Sequence, residues 1–330
     1  NLSNSSVQAL QIERRFKLSE FRLQLSILSI LVVLWLAFLI GSPQTFLSFN
    51  IYASFMSTMP FSAIMALSLT LIVIAGEIDL SFPSIMGFAG WVFTMVFSLT
   101  GNIVLALVAC LLAGGIAGLL NGVLVVKAAI PSLVATVGTM FFWRGLVMVL
   151  TGGWGKTLVP AKGTGLFEVL VGRAGGVIPA QMIWTVALAF VFWLILNRHK
   201  FGSHVYFTGD NANSARVMGI RVDRVKMILF TQMGVFAAFA GILASLEVLY
   251  YWPTLGEGYL LPTIAAVFVG GTSVYGGTGT IFGTFIGALI IGSLEAGIIA
   301  MGLTGFWTQL IYGLIMTIAL TTYSILRRRG

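Results

Sequence analysis

The chain has 330 residues, 58% of them hydrophobic and only 8% charged, whereas a soluble globular domain carries about 25% charged residues. Too few polar side chains exist to cover a water-facing surface, and the single cysteine, Cys110, permits no internal disulfide; a soluble enzyme, a disulfide scaffold and a disordered chain are excluded. Eighteen Lys+Arg against ten Asp+Glu leave a formal charge of +8, which in so apolar a chain reads first as a membrane-orientation signal.

A membrane-crossing helix needs ~20 mainly apolar residues. In chain order, candidate spans fall at 24–41, 51–75, 82–99, 103–126, 131–150, 181–197, 227–249, 263–275, 280–300 and 304–326, the eighth too short to cross unaided. The expected fold is an all-α polytopic membrane protein of about ten transmembrane helices, some broken, forming one transmembrane domain over 1–330. The basic stretch Glu13 to Arg22 leads into a full-length span without a small-residue cleavage site, so 1–23 reads as a cytoplasmic N-terminal segment, not a signal peptide.

With the N-terminus inside, the cytoplasmic segments hold fourteen of the eighteen Lys and Arg, and the outer segment 151–180 holds Lys156, Lys162 and Arg173. The positive-inside rule then puts both termini in the cytoplasm. The basic character is topology, and nucleic acid is dropped as a partner.

Two loops are long. The external one, 151–180, opens Thr151-Gly-Gly-Trp-Gly-Lys. The cytoplasmic one, 198–226, contains Asp210-Asn-Ala-Asn-Ser-Ala-Arg-Val-Met-Gly219, which predicts a short helix capped by Asp210 or Asn211 and stopped at Gly219. Two apolar hairpins are interrupted in similar ways, at Gly76-Glu-Ile-Asp-Leu-Ser81 and at Gly270-Gly-Thr-Ser-Val-Tyr-Gly-Gly-Thr-Gly279. Interrupted helices in corresponding halves point to a transport path. Gly114, Gly118 and Gly122 share one helical face, as do Gly279, Gly283 and Gly287; small residues at this spacing let helices pack closely in lipid.

Signatures of catalysis fail. Gly155-Lys156-Thr157 imitates the end of a phosphate-binding loop, but Leu150 stands where its first Gly belongs. The only histidines, His199 and His204, lie in the basic loop and read as solvated positions; no cofactor or metal is expected in this chain. The informative minority is acidic. A charge at the bilayer centre costs ~2.5–3.5 kcal/mol, so Glu77, Asp79, Glu247, Glu257 and Glu295 each need a partner, water or an interface. For Glu77 and Asp79 two readings stand: capping by Asp79 or Ser81 of the helix that Pro83 opens, or a direct substrate or gating role. Tyr250-Tyr251-Trp252, between Glu247 and Glu257, reads as an interfacial aromatic belt, and Glu295 as an interior hydrogen-bonding group.

At these residues the sequence resembles the permease subunits of bacterial ABC sugar importers of the ribose/xylose/galactoside type. The matching stretches include Gly76-Glu-Ile-Asp-Leu-Ser81, Asn121-Gly-Val-Leu-Val-Val-Lys127, Ile130-Pro-Ser-Leu-Val-Ala-Thr-Val-Gly-Thr139, Gly209-Asp-Asn-Ala-Asn-Ser-Ala-Arg216, Gly256-Glu-Gly-Tyr259 and Gly270-Gly-Thr-Ser273. They run in family order over roughly residues 60–310. The chain departs from the family pattern at Glu77, where Gly is common, and at Phe82-Pro83, where Val-Gly is common. The resemblance implies the helix architecture of the vitamin B12 importer's membrane subunit and a multi-pass location in the bacterial inner membrane. It also implies pairing with a second permease, two cytoplasmic ATPase subunits that bind ATP and Mg, and a periplasmic sugar-binding protein. Asp210, Asn211, Ser214, Ala215, Arg216 and Gly219 match the family's ATPase-coupling segment. Gly76, Glu77, Asp79 and Ser81, with Gly270, Gly271, Thr272 and Ser273, are expected to supply hinges or walls of the translocation path. A related permease for another small polar solute, and an ion-coupled transporter with Glu77 and Asp79 as its cation site, are the alternatives.

Overall fold

The computed structural model describes residues 24–302, 304 and 306–328; the basic segment 1–23 and Arg329 lie outside the described residues. Eight described helices are long and apolar enough to cross a membrane. They are α1 (Gln24–Gly41), α3 (Phe49–Ile74), α4 (Phe82–Thr100), α5 (Ile103–Val126), α6 (Ser132–Thr151), α8 (Ala180–Arg198), α11 (Val222–Glu247) and α13 (Ile281–Ala300). Between or after them lie α2 (Pro43–Phe46), α7 (Gly165–Val171), α9 (Lys200–Asp210), α10 (Ala212–Val217), α12 (Leu260–Val269) and α14 (Phe306–Arg328). The chain is an all-α polytopic membrane protein, as its composition requires.

Local sequence sets the helix ends. Asn102 caps α5, its side-chain oxygen accepting from the N–H groups of Val104 and Leu105 at 3.0 Å, and the Thr280 hydroxyl caps α13 by accepting from Gly283 N–H at 3.0 Å. Helix α3 stops at Ala75 because Gly76 turns left-handed, with φ +80°. Pro83 then sits in the first turn of α4, where a missing N–H costs nothing.

Helix α3 is the hub: it is buried through most of its length and packs on α8, α11, α12 and α13. Helix α11 lies against α5 with only glycine between the backbones. A Cβ at Gly118 would overlap the Phe230 carbonyl, and one at Gly114 or Gly234 would overlap the other's helix. The Gly283 and Gly287 face of α13 meets Gly270 and Ala266 in the same way. The first stripe and Gly283 and Gly287 of the second are therefore helix-packing surfaces, whereas Gly279 precedes α13 and lies in the second break against Thr272 and Ile74.

The expected span 263–275 is instead the ten-residue α12, ended at Val269 by Gly270-Gly271, with Gly271 at φ +82°. The stretch Gly270 to Tyr275 carries no charge and so did not break the span by hydropathy, although its two glycines end the helix. Residues 248–259 are a second departure. After Leu249 (φ +52°), strand β4 (Tyr250–Tyr251) pairs antiparallel with β1 (Lys156–Thr157), and the chain then descends along α4. Leu255 O meets Gly87 and Gly256 lies on the Pro83 carbonyl, where any Cβ would collide. The segment thus enters the bundle and delivers the chain to the start of α12. The loop 151–180 is ordered around β1, α7 and a short hairpin of β2 (Arg173–Ala174) with β3 (Ile178–Pro179).

Candidate functional site

The two breaks lie roughly 195 residues apart in sequence, and the structure brings them into contact at one end of the bundle. Gly277 N–H donates to Ile74 O at 2.8 Å. The last turn of α9 completes the junction. Gly209 rests on the Ile74 carbonyl so closely that a Cβ would overlap it, and that Cβ would also lie 2.7 Å from Gly277 N. Tyr206 hydroxyl, also on α9, donates to Gly279 O at 2.7 Å. A Cβ on Gly276 would stand 2.9 Å from both Gly76 Cα and Gly209 O. Three chain segments thus share one contact made by backbone, which leaves no side chain to cushion relative motion.

The first break is anchored by a buried polar chain. Asp79, wholly buried, accepts at Oδ1 from Ser81 N–H at 2.7 Å and from Ser81 Oγ–H at 2.6 Å. Asn121 Nδ2 on α5 donates to Ser81 Oγ at 2.6 Å and more distantly to Asp79 Oδ2 at 3.4 Å. Thr139 on α6 donates to Asn121 Oδ1 at 2.7 Å. Ile78 N–H donates to Ser132 Oγ at 3.2 Å. The Ser81 hydroxyl is spent in this network and makes no capping bond to α4, which corrects that part of the capping reading: the group ties the break to α5 and α6.

Glu77 points elsewhere and forms an ion pair with Lys226, in the first turns of α11. Both line a groove of about 320 Å³ with Ser132, Arg216 and Asp223. Beside it stands α10. Asn211, not Asp210, is its cap, accepting from Asn213 and Ser214 N–H at 3.0 Å, while Asp210 ends α9. Gly219, at φ +82°, terminates the turn after α10. Ala215 is buried, whereas Ser214, Arg216 and Val217 are exposed; Arg216 pairs with Asp223 at 3.1 Å. Sequence reasoning missed α9, whose N-terminus is capped by His199 Nδ1 accepting from Phe201 N–H at 3.1 Å.

In the second break Gly270 and Ser273 are buried, and Gly271 is half-buried. Ser273 N–H donates to Thr278 O at 2.9 Å and its hydroxyl accepts from Tyr275 N–H at 3.1 Å, closing a tight loop. Thr272 is buried with its hydroxyl unpartnered among the described residues.

Away from this junction two expectations are overturned. Tyr251 is not a belt residue: it is 1% exposed and donates to Gly87 O at 3.1 Å, because the descending segment carries it inward. Glu247 is hydrogen-bonded by Gln181, and Glu257 pairs with Arg144 at 3.6 Å. Glu295 faces outward from α13, not into the interior, since Leu294, Gly297 and Ile298 occupy the packed face. The Gly155-Lys156-Thr157 stretch forms strand β1, and a Cβ at Gly155 would strike Tyr251 O; it is a strand contact, not a phosphate loop.

Many apolar spans, with two interrupted helices meeting at one end, describe a multi-pass membrane protein. The chain belongs to the family described as the permease component of the branched-chain amino acid transport system, whose model matches residues 51–320. It is 32% identical over 298 residues, 90% of this chain and 92% of the relative, to the ribose import permease protein RbsC of Escherichia coli strain K12. It is also 32% identical over 289 residues, 87% of this chain and 81% of the relative, to the autoinducer 2 import system permease protein LsrC of Yersinia pseudotuberculosis serotype O:3.

Proposed function

We propose that the chain is the membrane-spanning subunit of an ATP-driven importer that carries a monosaccharide, or a solute of that kind, across the bacterial inner membrane. The similarity to import permeases for ribose and autoinducer 2 over about nine-tenths of the chain carries this reading. The break junction supplies its mechanics. In this proposal the end bearing α9, α10 and both breaks faces the cytoplasm, both termini lie there, and a separate ATPase subunit docks on Asp210–Gly219. A second permease completes the path, and a periplasmic sugar-binding protein delivers the solute to the end bearing 151–180.

Under this scheme, movement of α10 passes into α9, and Gly209 transmits it without compliance to Ile74 and Gly277. Each break then rotates about its glycines, which absorb backbone change that a continuous helix resists. Glu77 links the start of α11 to the first break through Lys226. The ion-coupled alternative loses its cation site: Glu77 is committed to Lys226, and the Asp79 oxygens to Ser81 and Asn121.

Co-purification of the tagged chain from its native membrane tests the proposal. An ABC ATPase is expected in stoichiometric amount, and Arg216→Glu, correctly inserted, is expected to abolish both its retention and solute uptake. A chain that purifies alone and accumulates solute under an ion gradient would overturn the reading.

A further inference from the structure

Helices α6 and α13 both start, and α12 ends, at the end of the bundle that carries the breaks. At a rise of 1.5 Å per residue, Arg144 stands about 18 Å and Glu295 about 21 Å from that end, and the start of α12 stands about 15 Å from it. In a hydrocarbon core of ~30 Å these are mid-depth positions. Glu257 is exposed in the segment just before α12 and stands 3.6 Å from Arg144, so a charged pair lies open at the protomer surface at this depth. Charged groups at this depth are tolerated when they face water or a partner, so this side of the protomer does not face lipid.

That side holds a recess of about 270 Å³ between α4, α6 and the descending segment. Arg144 forms its wall and holds its shape, donating from Nη1 to Pro253 O at 2.8 Å and to Leu255 O at 3.2 Å. Glu257 faces the guanidinium at 3.6 Å. Ser84 and the exposed ring of Phe141 complete the lining.

We infer that this recess is a solute-binding station within the permease, built for a small neutral polyhydroxylated ring; the inference rests on the importer reading above. The volume lies below the ~300–1,000 Å³ of pockets for drug-sized ligands, so the occupant is small. A carboxylate, a guanidinium edge and a hydroxyl offer acceptor and donor groups to alternating ring hydroxyls, and the Phe141 face can cover an apolar ring face. A zwitterionic amino acid needs a free cation and a free anion, but here Arg144 and Glu257 neutralise each other.

The test uses the complete transporter in membranes, with radiolabelled D-ribose and leucine as probes. Cys110 is buried and gives no background, so Phe141→Cys can be labelled by a charged, water-soluble thiol reagent. Labelling is expected, and ~10 mM ribose should slow it roughly tenfold if the dissociation constant is about 1 mM; leucine should not slow it. Ile116→Cys, on the exposed side of α5, should stay unlabelled. Met140→Cys replaces Phe141→Cys if the latter fails to insert. A transporter that accumulates ribose while the recess thiol is unlabelled, or is labelled without protection, overturns the station alone. One that accumulates leucine and not ribose overturns the monosaccharide reading and the polyol assignment with it.

Discussion

Gly209 is the residue on which the junction turns. It touches the ends of two interrupted helices through backbone alone, so the smallest enlargement tests the mechanical reading. Gly209→Ala is expected to push α9 off Ile74 and Gly277, at about 1–3 kcal/mol for an overpacked contact. Solute uptake should fall at least roughly tenfold while membrane insertion persists, a loss larger than the stability change explains; uptake and thermal unfolding of the same preparation check it. Asn121 provides the contrasting case. Asn121→Ala leaves the Ser81 and Thr139 hydroxyls and the Asp79 carboxylate underpaired in a buried place, at about 1–3 kcal/mol. Its signature is a lowered unfolding temperature in detergent. Asp79 and Ser81 could be nominated from the sequence as groups too polar for their surroundings, but their partners could not. Asn121 and Thr139 lie in otherwise apolar spans, and only the crossing of α5 and α6 brings them to the break.

At the scale of elements, legibility followed the strength of the local signal. The long apolar spans and the α10 cap were readable, because a 20-residue apolar run and an Asx cap act within their own segment. Helix α9 was not: it is short and mixed in polarity, contains Gly202 and Gly209, and gains its packed side from α8 and α3. Tyr250-Tyr251-Trp252 read as an interfacial belt because sequence does not distinguish a surface aromatic from a buried one, and burial of Tyr251 depends on Gly87 and Gly90 of another helix. Glu295 shows the same limit, since a residue's direction on an apolar helix is set by its neighbours. The α10 cap can be tested as an element. Asn211→Ala removes two hydrogen bonds and should cost the short helix about 1 kcal/mol, while leaving the distant spans intact. Expected is weaker ATPase retention at unchanged unfolding temperature, with Asn211→Ser restoring most of it.

At the scale of the molecule, the two ends differ in chemistry as well as in shape. The end that joins the breaks carries Lys127, Lys200, Arg216, Arg221, Arg224 and Lys226, whereas the loop at the other end carries Lys156, Lys162 and Arg173. Cations near a span are retained on the cytoplasmic side, so in the proposal charge assigns the end an ATPase would reach and the junction the segments it would move. The proposal requires these two facts to concern one end. Single cysteines decide it, because the buried Cys110 is silent. Val217→Cys, on the outward side of α10 and 90% exposed, should react with an impermeant thiol reagent only after the cells are permeabilised. Val177→Cys, exposed in the opposite loop, should react in intact cells. The reverse pattern would put α10 outside, beyond any ATP-hydrolysing partner, and the contact between the breaks and α9 would then transmit no cytoplasmic stroke.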